Sequence, residues 1–378
     1  PDKCVLRVAR LFHSHQAARS DIDWKNIMAN RTLLIPSEIQ SARQKNPGMR
    51  ARDLADQIGI SEAQLVAAHV GQGAVRITPD MDKMLPLVNR LGEVMALTRN
   101  DNCVIEKVGV YDDYRGGAHA ALVVNHEIDL RMFPRHWVHA FAVTTNLESG
   151  DVRRSIQIFD AAGDAVHKIF LREASMLEEW DAVIETLRSP DQTETIEVGF
   201  LAKVEPAKTD DSKTDQLRAE WDKITDTHQF LQMVRKLKLN RLGAYRMAGA
   251  PYVRSLAPSA IETILTHAAE TALPIMVFVG NQGCIEIHTG PISSVKQMGP
   301  WLNVLDPAFN LHLRSDRISE VWQATKATRR GDAISVEAFD ARGELILQIF
   351  GVLADPGAAE NWNTFVASLE EQTEEVAV

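Results

Sequence analysis

The residue of this chain best suited to bind a metal is His228, in the segment DTHQF (226–230). The apolar residues before it recur at helical steps of four and three: Leu217, Trp221 and Ile224. A continuous helix would place His228 on that apolar stripe, whereas a new helix capped by Asp226 or Thr227 would place it at a boundary. In both cases we expect the imidazole to lie near a helix boundary and to face apolar neighbours.

Two interpretations of His228 stay open on the residues alone. A half-buried histidine is most often structural and hydrogen-bonds to a backbone carbonyl. A neutral imidazole held on a helix beside an apolar cleft is also what haem iron requires as an axial ligand. The second interpretation requires basic groups at the rim for the propionates and a polar group on the opposite haem face.

Motifs for other common chemistries are missing from the sequence. It contains no GxGxxG, GxxxxGK[ST], GxSxG or HExxH pattern, which argues against dinucleotide enzymes, P-loop NTPases, serine hydrolases and zinc proteases. His136 and His139 are three residues apart, a spacing that on a strand places them on opposite faces, so a two-histidine metal site is not expected there.

The composition is that of an ordinary globular protein, with 45% hydrophobic and 24% charged residues among 378. A formal net charge of -10 argues against general nucleic-acid or anionic-membrane binding. Cys4, Cys103 and Cys284 are far apart and form no CxxC pair, which favours a reducing cytoplasm without disulfides or a zinc cage. No apolar run approaches transmembrane length, so we expect no membrane insertion.

The elements that position these residues are arranged as an internal repeat. IQIFDAAGDAVHKIF (156–170) is echoed by VEAFDARGELILQIF (336–350), and RNDNCVIEKVGVY (99–111) by GNQGCIEIHTGPI (280–292). The matching segments are separated by about 180 residues in each case, which is what a duplication predicts. Each D-A-x-G turn joins two alternating strands and requires a left-handed glycine.

Runs of strands closed by a helix, without strict alternation, predict an α+β fold. We expect two similar halves, each with a large antiparallel sheet flanked by helices. The predicted boundaries are an extension or loose tail at 1–27, the first repeat at 28–202, a polar linker at 203–216 and the second repeat at 217–378. Met28 resembles a natural start, so residues 1–27 need not belong to the native protein.

A helical hairpin at 50–71 has the outline of a helix-turn-helix, with a turn at Gly59 and Ser61 as the cap of its second helix. DNA binding is the remote alternative that it raises. The second helix begins with Glu62 and contains no Arg or Lys to contact phosphates. We therefore prefer a plain hairpin packed on the sheet.

Several segments in order resemble the HemS/ChuS/HmuS/PhuS family of cytoplasmic haem-handling proteins. The resemblance is carried by RAEWDKITDTHQFLQMVRKLKLNRLGAYRMAG, LTRNDNCVIEKVGVY, MRARDLADQIGIS, GNQGCIEIHTGPI and WLNVLDPAFNLHL. It extends from about Met28 to about Leu369 and includes the internal duplication, which is itself a property of the family. The resemblance implies two antiparallel sheets stacked centrally and haem, of the b type, in a cleft between sheet and helices.

The resemblance also implies roles for particular residues. His228 is the axial ligand, Arg99 approaches the opposite haem face, and Lys326 and Gln348 lie near the propionates. Without the resemblance, Arg99 is equally a strand-end charge, Lys326 a solvated loop charge and Gln348 an outward strand residue. Arg241 either reaches the haem edge or caps the helix before it. Phe350 and Leu353 replace a tyrosine and an arginine of some members.

The family implies two functions between which the sequence does not decide. In the first, the chain degrades haem oxidatively to release iron, with Arg99 assisting and an external electron donor. In the second, it is a non-catalytic chaperone that delivers haem to a separate haem oxygenase. The expected partners are a haem importer ATPase or permease and a haem oxygenase or reductase, with no nucleic acid.

Overall fold

The alternating apolar patterns of the two repeats form long antiparallel strands in a computed structural model that describes residues 34–147, 149–200, 204–329 and 331–372. The expected tail at 1–27 lies outside these residues. The helices are α1 (Pro36–Lys45), α2 (Ala51–Ile58), α3 (Glu62–Ala67), α4 (Met81–Asn89), α5 (Trp180–Leu187), α6 (Thr214–Trp221), α7 (Gln229–Lys236), α8 (Arg241–Ala248), α9 (Ala260–Thr271) and α10 (Pro356–Ala367).

The strands follow the order that the repeat predicts. The first-half strands are β1 (Ala74–Ile77), β2 (Gly92–Arg99), β3 (Cys103–Gly109), β4 (Tyr114–Arg115), β5 (Ala121–Val124), β6 (Asp129–Met132), β7 (His139–Asn146), β8 (Val152–Phe159) and β9 (Ala165–Ser175). The second-half strands are β10 (Val253–Leu256), β11 (Ile275–Gly280), β12 (Cys284–Gly290), β13 (Val295–Met298), β14 (Trp301–Leu305), β15 (Phe309–Arg314), β16 (Glu320–Thr328), β17 (Gly331–Phe339) and β18 (Leu345–Gly351).

Within the described ranges the strands form two 9-stranded antiparallel sheets, which confirms the predicted α+β class. The first sheet has the order β1-β7-β8-β9-β2-β3-β15-β14-β13, and the second has β10-β16-β17-β18-β11-β12-β6-β5-β4. Each half therefore gives its three middle strands, β4 to β6 or β13 to β15, to the sheet of the other half. This exchange ties the halves together through backbone hydrogen bonds.

The two D-A-x-G hairpins form as expected. Gly163 and Gly343 lie in the left-handed region, with φ of 82° and 85°, at the turns that join β8 to β9 and β17 to β18. Trp180 and Trp362, which match in the repeat, are both buried on the closing helices α5 and α10. The duplication is therefore present in the fold as well as in the sequence.

A matched pair of asparagines links the halves where β2 and β11 end. The Asn100 side-chain amide donates to the Gly280 and Ile346 carbonyls at 3.2 and 2.8 Å. At the equivalent place, the Asn281 amide donates to the carbonyls of Arg99 and Val166 at 2.9 and 2.8 Å. Because the two sets are related by the repeat, the end of each half's second strand is fixed against the other half.

The hairpin at 50–71 packs on the first sheet. Gly59 ends α2 with φ of 74°, and the Ser61 hydroxyl accepts from the Gln64 amide as the cap of α3. One face of α3 is buried against the sheet through Ala63, Val66, Ala67, Phe141 and Phe159. Glu62, at the helix start, is buried in an ion pair with Lys168 at 2.5 Å. The start of this helix is therefore not free to enter a DNA groove.

The predicted linker at 203–216 includes ordered structure in its described part. A 3-10 turn spans Asp211–Lys213 and α6 begins at Thr214. The backbone around Lys208 lies so close to α8 that a Cβ on Gly243 would meet the Lys208 carbonyl oxygen at 2.0 Å. The described residues of this segment are therefore packed against the second half, and the repeat boundaries themselves stay a prediction.

Candidate functional site

The chain breaks its helical pattern just before His228. Helix α6 ends at Trp221, α7 begins at Gln229, and the residues between them form turns. The Asp226 carboxylate accepts the His228 backbone N–H at 2.8 Å within this turn, and His228 itself is the residue that precedes α7. The side chain of His228 is 92% exposed. The predicted helix boundary is confirmed, but the prediction that the imidazole faces apolar neighbours is wrong, because the turn rotates it away from the stripe.

The imidazole of His228 is held by a carboxylate. Its Nδ1 lies 2.6 Å from Asp226 Oδ1, so Nδ1 carries the proton and donates it. These backbone and ring N–H groups lower the pKa of Asp226, which is therefore a carboxylate at neutral pH. In the neutral imidazole this contact leaves Nε2, on the exposed side chain, as the nitrogen that can bind a metal.

Phe230 joins the His228 turn to the second sheet. Its ring is 1% exposed and packs against Trp221 and Tyr245, with centroid distances of 4.9 and 5.5 Å. The Lys326 ammonium lies 4.9 Å from the Phe230 ring centroid, and the Arg241 guanidinium lies 5.6 Å from it. Both cations therefore make cation–π contacts with this ring. The short α7 helix is thereby anchored two residues from the exposed imidazole.

Glu337 on β17 is a buried carboxylate that accepts hydrogen bonds from the polar side chains near Phe230. It accepts from Arg241 Nη1 at 2.7 Å, Tyr245 Oη at 2.7 Å, Lys326 Nζ at 3.0 Å and Ser335 Oγ at 2.8 Å. We call these five residues the cation cluster. Burial would raise the pKa of Glu337, but Arg241 and Lys326 outweigh it and hold that pKa well below its ordinary value.

Two expectations for the basic residues need correction. Lys326 is not a solvated loop charge: it lies on β16, is 2% exposed, and is tolerated inside because Glu337 compensates its charge. Burial nevertheless lowers its pKa. Arg241 does not cap the preceding helix, because it is the first residue of α8, where Asn240 is the cap. Its helix-start position disfavours a cation, and the Glu337 pair offsets that cost.

Gln348 lies beside the cation cluster and faces the same side of the second sheet. It pairs in register with Glu337 on β17 and with Phe278 on β11. Phe278 and Phe350 stack edge to face at 5.1 Å, and Met276 lies opposite Phe350. We call Met276, Phe278, Gln348 and Phe350 the aromatic face. All four are half-buried, so this part of the sheet is accessible to an apolar ligand.

Arg99 belongs to the first sheet and lies near the place where β11 ends and β18 begins. It ends β2, and the neighbouring Asn100 is bound to Gly280 and Ile346, each two residues from a member of the aromatic face. Its Nε donates to the Asn100 carbonyl at 3.2 Å. Burial and repulsion from Arg52 lower the pKa of Arg99 to about 10, so it remains a cation at neutral pH.

The structure thus brings Arg241, Lys326 and Gln348 together at Glu337, and places His228 and Arg99 at separate edges of this region. Leu353 lies half-buried in the turn after β18. Glu337 and Tyr245 were not predicted from the sequence. The repeat does contain a signal for the first, because SVEAF (335–339) carries an inward-facing charge where SIQIF (155–159) carries Gln157.

No group of three or more His, Cys, Asp or Glu residues suited to a metal ion occurs within the part of the chain that the structure describes. A lone histidine binds a metal firmly only when the metal brings further ligands with it, as iron in a porphyrin does. In the same part of the chain, none of the helices combines the length and apolarity needed to cross a membrane.

Comparison with known proteins identifies the family. Residues 59–187 and 238–369 match the family model described as the haemin-degrading HemS.ChuX domain. The chain belongs to the HemS family. One matched segment lies in each half of the chain, and the two segments contain Arg99, Arg241, Lys326 and Gln348. His228 lies between them, so its assignment does not depend on this match.

Full-length relatives support the same conclusion. The hemin transport protein HemS of Yersinia enterocolitica is 38% identical over 312 residues, which is 82% of this chain and 89% of that protein. The crystal structure of holo-PhuS, a heme-binding protein from Pseudomonas aeruginosa, superposes with a TM-score of 0.84 at 40% identity, covering 90% of this chain and 100% of PhuS. The heme degrading enzyme ChuS of Escherichia coli O157:H7 gives 0.80 at 32% identity, covering 88% and 97%.

Proposed function

We propose that this chain binds haem between α7 and the aromatic face, with His228 Nε2 as the axial ligand of the iron. The Asp226–His228 pair carries this proposal. Metal-binding histidines commonly donate their second ring N–H to a carboxylate, which fixes the tautomer and the ring orientation. The 2.6 Å contact of Nδ1 with Asp226 leaves Nε2 free for the metal, and its exposure leaves room for a large planar ligand.

Arg241 is the residue that we assign to direct contact with the propionates. Its side chain is 20% exposed, and the bond to Glu337 occupies only one of the nitrogens of the guanidinium fork. Lys326 lies deeper, under Phe230, and its side chain is 3% exposed. It therefore supports Arg241 by balancing Glu337. Gln348, in register with Glu337, offers an amide at the same rim.

The aromatic face would pack against the porphyrin plane through Phe278 and Phe350. Arg99, at the end of β2 in the first sheet, is our proposed donor on the opposite haem face. It stays charged and its backbone is fixed by Asn281, so it is suited to stabilise negative charge that develops there. Phe350 and Leu353 supply neither the hydroxyl nor the cation that some members of the family place at this rim.

We propose oxidative degradation of haem, with release of iron, as the activity of the chain. Haem of the b type would be the substrate and would itself supply the iron at which oxygen reacts. The reducing electrons come from an external donor, because the sequence holds no flavin or nicotinamide motif. We place this activity in the cytoplasm, next to a haem importer ATPase or permease and a reductase.

The second candidate is delivery of intact haem to a separate haem oxygenase. Two observations favour it: the fully accessible imidazole of His228, which makes the ligand easy to exchange, and the apolar Phe350 and Leu353 at the rim. To separate the candidates, the haem complex is mixed with ascorbate and catalase. Loss of the Soret band with a new product band supports degradation, whereas a Soret band that persists until an oxygenase is added supports delivery.

Haem binding itself is tested by titration with haemin followed at the Soret band. His228→Ala should weaken binding by at least about tenfold and shift the band, because a metal–imidazole bond is lost. His126→Ala, in the exposed turn between β5 and β6, is the matched control and should bind like the parent chain. An unchanged band position and affinity in His228→Ala would reject the assignment.

A further inference from the structure

The core between the two sheets contains positions that are equivalent in the repeat but differ in polarity between the two halves. The repeat pairs four interior positions: Ile105 with Glu286, Val279 with Thr98, Ile292 with Tyr111, and Leu347 with His167. The four apolar members lie together in one hydrophobic cluster. The four polar members are all 1% exposed or less. At these positions the duplicated core is apolar in one set and polar in the other. We call the polar set, Thr98, Tyr111, His167 and Glu286, the polar side.

Three of the polar residues satisfy one another. Tyr111 Oη lies 2.6 Å from His167 Nε2, and Thr98 Oγ1 lies 2.8 Å from His167 Nδ1. Burial lowers the pKa of His167 to about 3, so the ring is neutral and carries a single proton. In the tautomer that satisfies both hydroxyls, Tyr111 donates to Nε2 and Nδ1 donates to Thr98, whose own hydroxyl proton can then turn to Cys284 Sγ at 3.5 Å.

Glu286 is the exception on the polar side. Its side chain is 0% exposed, and neither carboxyl oxygen has a hydrogen-bond partner among the described residues. His167 Nδ1 is 4.0 Å away, but it is committed to Thr98 and its ring is neutral. An ionised carboxylate without hydrogen bonds in such surroundings is very costly, whereas the carboxylic acid form costs much less.

The groups that face Glu286 do not supply a compensating charge at bonding distance. Its register neighbours, Leu130 on β6 and Val279 on β11, are apolar. The titratable groups around it come from β12, β9, β3 and the loop after β3: Cys284, His288, His167, Glu106, Lys107 and Tyr111. Burial, with repulsion from Glu106, raises the pKa of Glu286 to about 8, although Thr98 and Lys107 act in the opposite direction.

We propose that Glu286 is an internal proton-binding site: it is a carboxylic acid at neutral pH, and its ionisation in mildly alkaline solution weakens the packing between the two sheets. The proposal concerns the core and does not depend on haem. Folding takes up a proton at Glu286 when the pH lies between its unfolded and folded pKa values. The stability that this proton provides is complete below about pH 4.3, the ordinary glutamate value, and is lost as the pH rises toward 8.

The test compares the unfolding equilibrium of the whole haem-free chain with that of Glu286→Gln, an isostere that never ionises. The ratio of the unfolding constants, parent over variant, should rise about tenfold per pH unit between about pH 5 and 8, because one proton is linked to folding. Glu286→Ile copies the apolar partner Ile105 and should give the same pH dependence as Glu286→Gln. A ratio that is constant across this range contradicts the proposal.

A second measurement needs no change at Glu286. The infrared carbonyl band of a protonated carboxyl group should be present in the parent chain at pH 7 and should disappear above about pH 8. Glu344, whose pKa burial raises to about 7, could contribute a similar band, so the titration is made in Glu344→Gln. A protonated carboxyl band that persists in this background supports the proposal. Its absence at pH 7 overturns it, whether or not the Glu286 variants fold.

Discussion

Replacing Glu337 by glutamine should be the most damaging conservative change in the second half. The carboxylate is 0% exposed and accepts from Arg241, Tyr245, Lys326 and Ser335. Glutamine keeps the shape but leaves the Lys326 ammonium buried without a counter-charge. Breaking a buried ion pair from one side costs about 3–5 kcal/mol of unfolding free energy, and we expect a loss in this range.

The repeat supplies the matched rescue. Thr145 and Gln157 occupy the first-half positions equivalent to Lys326 and Glu337, and there Gln157 simply donates to Ser155. The double variant Lys326→Thr, Glu337→Gln therefore copies a pair that the equivalent strands of the first sheet, β7 and β8, already accommodate. Replacing both members of a buried pair is often close to neutral, so we expect the double variant to recover at least about 2 kcal/mol relative to Glu337→Gln.

Urea unfolding followed by circular dichroism, with a common slope for all variants, measures these losses. Exposed Glu178→Gln is the control and should stay within about 0.5 kcal/mol of the parent chain. The folded pKa of Glu337 is depressed, so its contribution is present above the ordinary glutamate pKa and is lost as the pH falls; the gap between parent and Glu337→Gln should close below about pH 4. A loss below about 1 kcal/mol, or a double variant as unstable as the sum of its single changes, would refute the reasoning.

Three further predictions follow from single contacts. Asp226→Asn should lower haem affinity by about 10–100-fold, measured by Soret titration, because the imidazole loses its orienting carboxylate; full affinity would argue against that role. Arg241→Gln should weaken binding of haem by about tenfold or more but leave haem dimethyl ester unchanged, since only free propionates pair with the guanidinium; equal losses for both ligands would contradict this. Ser61→Ala should cost about 1 kcal/mol in urea unfolding, because α3 loses its cap, and a neutral effect would show that the Gln64 contact is unimportant.

The general fold was predictable because its signals are local. Alternating strands, D-A-x-G turns and a repeated order of segments gave the α+β class and both hairpins, with Gly163 and Gly343 left-handed as required. The exchange of β4–β6 and β13–β15 between sheets was not predictable in this way. A period of two tells which side chains share a face, but it does not identify the strand that pairs with it.

The site was less predictable because its decisive contacts are not local. The spacing of Leu217, Trp221 and Ile224 extends to His228, yet the chain turns after Trp221, and contacts with Asp226 hold the His228 backbone and its exposed imidazole in that turn. Lys326 resembled a loop charge because its partner, Glu337, comes from the neighbouring strand. Burial of a lysine depends on such a partner, and only the fold shows which carboxylate stands opposite it.

The asymmetry between the halves indicates why the proposed ligand would favour the second one. In the second half, the two cations Arg241 and Lys326 share one carboxylate, Glu337. At the helix start of the first half, Glu62 is paired with Lys168 alone. The first helix residue after the cap thus carries opposite charges, Glu62 on α3 and Arg241 on α8. A planar apolar dianion is attracted by the cation at the start of α8 and repelled by the carboxylate at the start of α3, and that difference is fixed by side chains on otherwise equivalent backbones.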